Sequence, residues 1–268
     1  MRLTLGFTAA SVATLALLPA SPPLHAGGLD LAKAQVVDLT HAIDRDTIFW
    51  PTEKKTFELV EEHRGMTERG FFYAANRFCL PEHGGTHVDA PFHFAKEGKT
   101  VGALPIERMV GPAAVIDVSA KAAADIDYTL QPQDVTEWEA ANGKIAPGTI
   151  VLLRTGWSSR WPDKRAYLGD DTPGDASHLH FPSYGADAVR LLIARGVSVI
   201  GVDTASIDNG PSKDFLVHRA AGAANVVGVE NLTNLDKLPP TGAWVVALPM
   251  KIAQGTGAPA RVIALLPR

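Results

Sequence analysis

The sequence predicts an α/β protein with one domain built around a mixed β-sheet. Six short runs of β-branched and other apolar residues recur along the chain, each bounded by Gly, Pro or Asp, as is typical of buried strands. Only two segments have helical signals, so the strands do not alternate regularly with helices. No linker-like stretch divides the 268 residues, and a chain of this length can bury one large core.

The elements follow one another along the chain with recognisable boundaries. A helix is predicted from Gln133 to Asn142, where Gly143 ends it. A second helix is predicted to begin at Ser183, a candidate N-cap, and to run to residue 195 before Gly196. The predicted strands cover residues 36–39, 114–118, 149–153, 197–202, 243–248 and 261–266.

The first 26 residues have the layout of a secretory signal peptide. Met1 and Arg2 form a short basic start, residues 3–18 are apolar and uncharged, and prolines precede Ala26, a small residue suited to cleavage. A membrane anchor is the alternative, but the apolar stretch is shorter than the ~20 residues that a span needs. We therefore expect a signal peptide over 1–26 and one exported domain over 27–268, periplasmic or secreted, with no membrane in the mature form.

Charge and cysteine content exclude several classes of protein. The formal net charge is −4 and the 25 Lys and Arg residues are scattered, so we expect no nucleic-acid partner. Cys79 is the only cysteine, which excludes an intrachain disulfide. Its apolar neighbours predict a position in the core, since free cysteine commonly behaves as a small buried hydrophobe.

Residues 83–94, HGGTHVDAPFHF, concentrate three of the nine histidines and one aspartate. His83, His87 and Asp89 share one parity, but on an extended strand at ~3.3 Å per residue the two histidines would lie roughly 13 Å apart. Gly84 and Gly85 permit the bend that would bring them together. Two imidazoles and a carboxylate suit zinc, manganese or iron. A hydrogen-bonded histidine cluster without metal is the alternative.

The same stretch resembles the signature of the metal-dependent cyclase family, which contains bacterial kynurenine formamidases and isatin hydrolases. Further segments resemble the family at residues 154–157, 201–208 and 212–218, and the Gly255-Thr-Gly257 region resembles the isatin hydrolase branch especially. The resemblance covers roughly residues 35–267. It implies a swivelling β/β/α fold and a homodimer.

The resemblance also implies a metal centre and a catalytic residue. His93 would be the acid/base, and zinc is expected, with manganese as the alternative and two ions per chain. Isatin hydrolases would lack the carboxylate at Glu230 and bind one ion. Asp203 and Asp208 remain open between structural support and contact with the ligands. The implied ligands are His83, His87 and Asp89 for the first ion, and His218, Glu230 and the bridging Asp89 for the second.

The expected function is hydrolysis of a small aromatic amide by metal-activated water. An arylformamidase acting on an N-formylkynurenine-type substrate is the leading expectation, and a cyclic amide hydrolase similar to isatin hydrolase is the alternative. An exported metal-binding protein without catalysis is the alternative of another class. The segment 161–181 resembles an insertion relative to the formamidases.

Overall fold

The computed structural model describes residues 32–267, which form a sheet-rich α/β domain with few helices. The predicted signal peptide lies outside the described residues. The strands are β1 (Gln35–Asp38), β2 (Glu58–Met66), β3 (Phe72–Cys79), β4 (His87–Asp89), β5 (Val110–Asp117), β6 (Thr129–Leu130), β7 (Ile150–Arg154), β8 (Ser183–Tyr184), β9 (Val199–Val202), β10 (Val227–Glu230), β11 (Trp244–Pro249) and β12 (Gly257–Leu266). The helices are α1 (Ser119–Ala124), α2 (Pro132–Asn142), α3 (Lys164–Leu168), α4 (Ala186–Ala194) and α5 (Leu216–Ala223).

The main sheet has eight strands in the order β1-β12-β11-β5-β7-β9-β10-β4. The pairs β5–β7, β7–β9 and β9–β10 are parallel, and the other pairs are antiparallel, so the predicted mixed sheet is confirmed. Strand β4 pairs with both β10 and β12, which closes the sheet on itself. The short strand β4 therefore has a hydrogen-bonded neighbour on each edge.

Both faces of the central strands are buried. Val115 of β5 and Leu152 of β7 belong to one apolar cluster, which the closed sheet surrounds. Their neighbours in sequence, Ile116 and Leu153, belong to a second cluster with helices α2, α4 and α5. Because successive side chains alternate between two buried faces, these strands are continuously apolar, as expected for parallel strands in an α/β protein.

The six predicted strands and two predicted helices are all present, with shifted ends. One prediction at a boundary is wrong: Ser183 lies in β8, where its hydroxyl donates to the carbonyl of Ser206, and Gly185 holds the N-cap position of α4. The predicted burial of Cys79 is also wrong. It ends β3 of the exposed β2–β3 hairpin, which pairs with no strand of the main sheet.

No helix among residues 32–267 combines the length and the apolar character that crossing a bilayer requires.

Candidate metal centre

Strand β4 places the centre between its two neighbours. It runs antiparallel to β10, with His87 opposite Glu230 and Asp89 opposite Gly228. On its other edge, Asp89 lies opposite Gly257 of β12. Cross-strand neighbours lie about 4.5–5.5 Å apart at Cβ, so pairing alone brings the carboxylate of β10 beside the histidine of β4.

The predicted bend between His83 and His87 is confirmed. Gly85 has φ of +59°, a conformation that L side chains rarely adopt, and a Cβ at Gly84 would lie 2.0 Å from the ring of Phe49. Glycine is therefore required at both positions. The two imidazole centroids lie 5.3 Å apart, far closer than an extended strand allows.

His87 is fully buried and faces the centre with one defined nitrogen. Its Nδ1–H donates to the carbonyl of Gly85 at 2.9 Å, so Nε2 is the nitrogen that faces the centre. Nε2 makes no hydrogen bond, although oxygens of Asp89 and Glu230 lie 3.2 and 3.4 Å away. A buried imidazole nitrogen beside two carboxylate oxygens is the arrangement of a metal ligand, which binds an ion after giving up the proton it carries.

His218 enters from α5 and is oriented by Asp208. The Nδ1–H of His218 donates to Asp208 Oδ2 at 2.7 Å, while its Nε2 lies 3.0 Å from Asp89 Oδ2 and 3.2 Å from Glu230 Oε1. A carboxylate bonded to the far nitrogen fixes the ring and raises its basicity as a ligand. Of the two roles that the sequence left open for Asp208, the structure therefore shows contact with a candidate ligand.

Asp203 has the other of these two roles, which is structural support. Its carboxylate accepts hydrogen bonds from the backbone N–H and hydroxyl of Thr155 and from the N–H of Gly156, so it anchors the turn after β7 to the end of β9.

The charges of the centre call for a cation. Burial and the charge of Asp89 raise the pKa of the Glu230 carboxyl. Burial also acts against a charge on His87, but Asp89 and Glu230 outweigh it and raise the pKa of His87 to about 9. In the same way Asp208, Asp89 and Glu230 raise the pKa of His218 well above its ordinary value. Buried carboxylates require compensating positive charge, and a divalent ion held among these donors would supply it.

Two groups of three candidate ligands lie close enough to hold an ion among the described residues. One is His83, Asp89 and His93, and the other is His87, Asp89 and Glu230. Asp89 belongs to both, as a bridging carboxylate would. The grouping differs from the predicted first site, in which His83 and His87 share one ion. All six predicted residues meet at one centre, and their individual roles stay predictions.

His93 lies beside the ligands at the pocket wall. Its ring stacks on that of His83 with centroids 3.8 Å apart, and burial lowers its pKa to about 4. A half-buried imidazole that is neutral near pH 7 can accept a proton from a neighbouring group.

A pocket of about 210 Å³ opens above the centre. Its walls are largely apolar and aromatic, and its floor carries five of the six predicted site residues, which are His83, His87, His93, His218 and Glu230. Apart from these site residues, Glu53 is the one charged side chain among the described residues lining it. The other lining residues are Ile48, Phe49, Trp50, Gly84, Phe94, Ala205, Ser206, Phe215 and Asn231.

Sequence reasoning missed several residues of this site. Asn231 lines the pocket in a left-handed conformation directly after Glu230, and the hydroxyl of Tyr167 lies 3.0 Å from its side-chain oxygen. Tyr167 is fully buried within the segment 161–181, which therefore packs under the pocket. The adjacency of Asn231 to a candidate ligand was the available signal. Nothing local to Tyr167 indicated its contact.

The sequence and the fold both match proteins of one family. The model of the Cyclase family, described as "Putative cyclase", matches residues 37–209. An isatin hydrolase of Roseibium aggregatum is 36% identical over 251 residues, covering 88% of this chain and 93% of the relative. A kynurenine formamidase of Salinibacter ruber is 29% identical over 230 residues, covering 85% and 96%. A crystal structure of an isatin hydrolase bound to the product analogue thioisatinate superposes with a TM-score of 0.79 at 32% identity, covering 88% of this chain and 94% of that one.

Proposed function

Because the chain belongs to the cyclase family, we propose that it is a metal-dependent hydrolase of a small aromatic amide. One observation carries the proposal: three imidazoles and two carboxylates converge beneath an apolar pocket, with His93 beside them. The residues that would hold the metal are His83, His87, Asp89, His218 and Glu230. Zinc is the first choice and manganese the second, with two ions per chain.

The reaction joins a water oxygen to the amide carbon and breaks the C–N bond. A divalent ion, when bound, supplies Lewis acidity and lowers the pKa of water towards 7. His93 lines the pocket and is neutral near pH 7, so it accepts the proton that the water loses. It then returns that proton to the nitrogen as the C–N bond breaks, which gives a free amine, still attached to the product where the amide was cyclic. Aromatic walls formed by Phe49, Trp50 and Phe94 hold the substrate ring and exclude bulk water.

Two features of the pocket favour a compact uncharged substrate such as a cyclic aryl amide of the isatin type. A cavity of about 210 Å³ is smaller than the ~300–1,000 Å³ of drug-sized ligand sites, so it suits one fused aromatic unit. No lysine or arginine of the described chain lines it, and the one charged lining residue outside the predicted site is the acidic Glu53. The α-carboxylate of an amino-acid substrate would have no cationic partner there.

A formamide of the N-formylkynurenine type is the second candidate. It is favoured by Glu230, which lies twelve positions after His218 and reaches it at 3.2 Å, because the family resemblance implies that isatin hydrolases lack this carboxylate. The two candidates share their metal chemistry and differ in the charge and size of the group opposite the amide.

The test is a substrate comparison on one preparation. Protein reconstituted with zinc or with manganese is assayed against isatin, N-formylkynurenine, an uncharged aryl formamide and an aryl lactone, and kcat/KM is compared. We expect the uncharged amides to be hydrolysed more efficiently than N-formylkynurenine. A preference for N-formylkynurenine would select the arylformamidase. Metal binding without cleavage of any substrate would instead support the non-catalytic metal-binding protein. A His87→Ala variant, which lacks a predicted ligand, is the matched negative control.

We also propose export and a homodimer. Export is supported by the basic, apolar and small-residue order of residues 1–26 and predicts a mature N-terminus near Gly27, which mass spectrometry of the periplasmic protein would detect. An intact Met1 on the soluble product would contradict it. The homodimer rests on the family resemblance, and a monomer in light scattering at micromolar concentration would contradict it.

A further inference from the structure

The Gly255-Thr-Gly257 segment lies against His83 and defines where its proton sits. The hydroxyl of Thr256 lies 2.6 Å from Glu82 Oε2 and 2.8 Å from His83 Nε2. Glu82 also accepts the backbone N–H of Thr256 at 2.9 Å. A carboxylate only accepts, and a hydroxyl has one proton to give. Thr256 therefore donates to Glu82, and its oxygen accepts the Nε2–H of His83.

Glu82 is suited to act as a permanent acceptor. Its Oε2 accepts three hydrogen bonds, from the Thr256 hydroxyl, from the backbone N–H of Thr256 and, at 3.4 Å, from the backbone N–H of Gly257. The backbone of Thr256 is also tied to the residue that follows β4, because the N–H of Ala90 donates to the carbonyl of Thr256 at 2.9 Å. Side chain and main chain thus fix the hydroxyl in one position.

With Nε2–H held by Thr256, Nδ1 is the nitrogen of His83 that can change its partner. Nδ1 faces the centre 2.7 Å from Asp89 Oδ1, to which it donates in the absence of an ion, so it is the atom that would give up its proton and bind a metal. His87 uses the opposite arrangement, since Gly85 holds its Nδ1–H and leaves Nε2 free. Two histidines four residues apart therefore need opposite tautomers, and each needs its own acceptor to set the choice.

The flanking glycines make this contact possible. A Cβ at Gly257 would lie 2.4 Å from His83 Cε1, and one at Gly255 would lie 2.9 Å from Glu82 Oε1. The His83 side chain is 23% exposed, whereas that of His87 is 2% exposed, so packing restrains His83 less. Its orientation depends correspondingly more on the hydrogen bond from Nε2.

We propose that Thr256, supported by Glu82, is a positioning residue that keeps His83 protonated on Nε2 and presents Nδ1 to the metal. This inference rests on the proposed metal site. Supporting groups bonded to the far nitrogen of a ligating histidine typically change metal affinity 10–100-fold. Thr256→Val, which keeps the shape and removes the hydroxyl, is therefore expected to raise the Kd for zinc by about 10–100-fold.

The experiment compares four full-length proteins: wild type, Thr256→Val, Thr256→Ser and Thr100→Val. Zinc Kd is measured by competition with a chromophoric chelator, and long-range ¹H–¹⁵N correlations report the histidine tautomers in the zinc-loaded proteins. We expect Thr256→Ser to restore wild-type affinity and the Nε2–H signal of His83. Thr100→Val is the matched control, because its hydroxyl bonds the carbonyl of Ala253 in an exposed loop.

Each outcome separates this inference from the proposed function. Equal zinc affinity in wild type and Thr256→Val, or an Nδ1–H signal for His83 in the wild type, overturns the positioning role. If Thr256→Val does not fold, Glu82→Met decides, since loss of the acceptor frees the hydroxyl to donate to His83 and should also weaken zinc binding about tenfold or more. A wild type that binds zinc tightly but hydrolyses no amide contradicts the proposed function and leaves this inference standing.

Discussion

His93→Phe tests the division between metal ligand and proton carrier. Phenylalanine retains a ring that can stack on His83, where the present centroid distance is 3.8 Å, but it has no nitrogen. A His93 nitrogen lies within 4.8 Å of the candidate ligand atoms of His83 and Asp89. One water molecule can bridge a separation of that size, which is the reach expected of a general base.

The expected loss follows from the role. General acid–base catalysis contributes about 10²–10⁴-fold, which corresponds to about 3–5 kcal/mol at 1.36 kcal/mol per tenfold. His93→Phe should therefore retain zinc and lose about that factor in kcat, whereas His87→Ala should lose zinc and activity together. Zinc content and amide hydrolysis are measured on the same preparations, with His178→Phe in an exposed loop as the matched control.

Two results would refute this reasoning. If His93→Phe hydrolyses the amide at the wild-type rate, His93 carries no proton and its role is to pack against His83. If the variant loses zinc instead, His93 is itself a ligand, and the cluster of His83, Asp89 and His93 is the first metal site.

Three other changes are expected to separate catalysis from stability. Asp89→Ala should remove more bound metal than Glu230→Ala, because Asp89 belongs to both candidate groups; two ions per chain in Glu230→Ala by elemental analysis would contradict the binuclear assignment. Hydrogen bonds from Arg195 lower the pKa of Glu139 to about 2. The ionised Glu139 therefore contributes its full stabilisation above about pH 4.5, and this stabilisation is lost as the pH falls through 2. Glu139→Gln should flatten the pH dependence of the urea midpoint in that range. Asp203→Asn should lower the free energy of unfolding by about 1–3 kcal/mol, since one of the three groups that donate to Asp203 loses its acceptor. An unchanged urea midpoint would show that the anchor is dispensable.

The sequence predicted those parts of the fold in which the apolar pattern of a single segment already indicates that the segment is buried. Strand β7 is apolar at successive positions because both of its faces are covered, and that pattern is visible without any neighbour. The β2–β3 hairpin has no such pattern, since most of its residues are exposed and charges interrupt its apolar positions. Its pairing depends on the register between two segments, which a local composition cannot specify.

Helix α5 shows why part of the site was beyond local prediction. The residue before it, Phe215, holds the N-cap position with φ of +49° and makes no side-chain capping hydrogen bond. The first-turn N–H groups of Val217 and His218 are instead satisfied by Asp208, nine and ten residues earlier. The spacing between His218 and Glu230 came from family resemblance, and the carboxylate that starts the helix and orients its histidine became visible only in three dimensions.

Residues 83–93 could be predicted as a unit because one continuous segment supplies four of the six site residues. What completes the unit comes from its two neighbouring strands. Asp89 has a glycine opposite it on each edge, Gly228 on β10 and Gly257 on β12. A Cβ at Gly228 would lie 3.3 Å from that of Asp89, a contact that a small shift relieves, whereas a Cβ at Gly257 would lie 2.4 Å from His83. The two glycines therefore have different roles. Gly228 leaves room for the carboxylate of Asp89, and Gly257 allows the β12 backbone to contact His83, whose tautomer Thr256 selects.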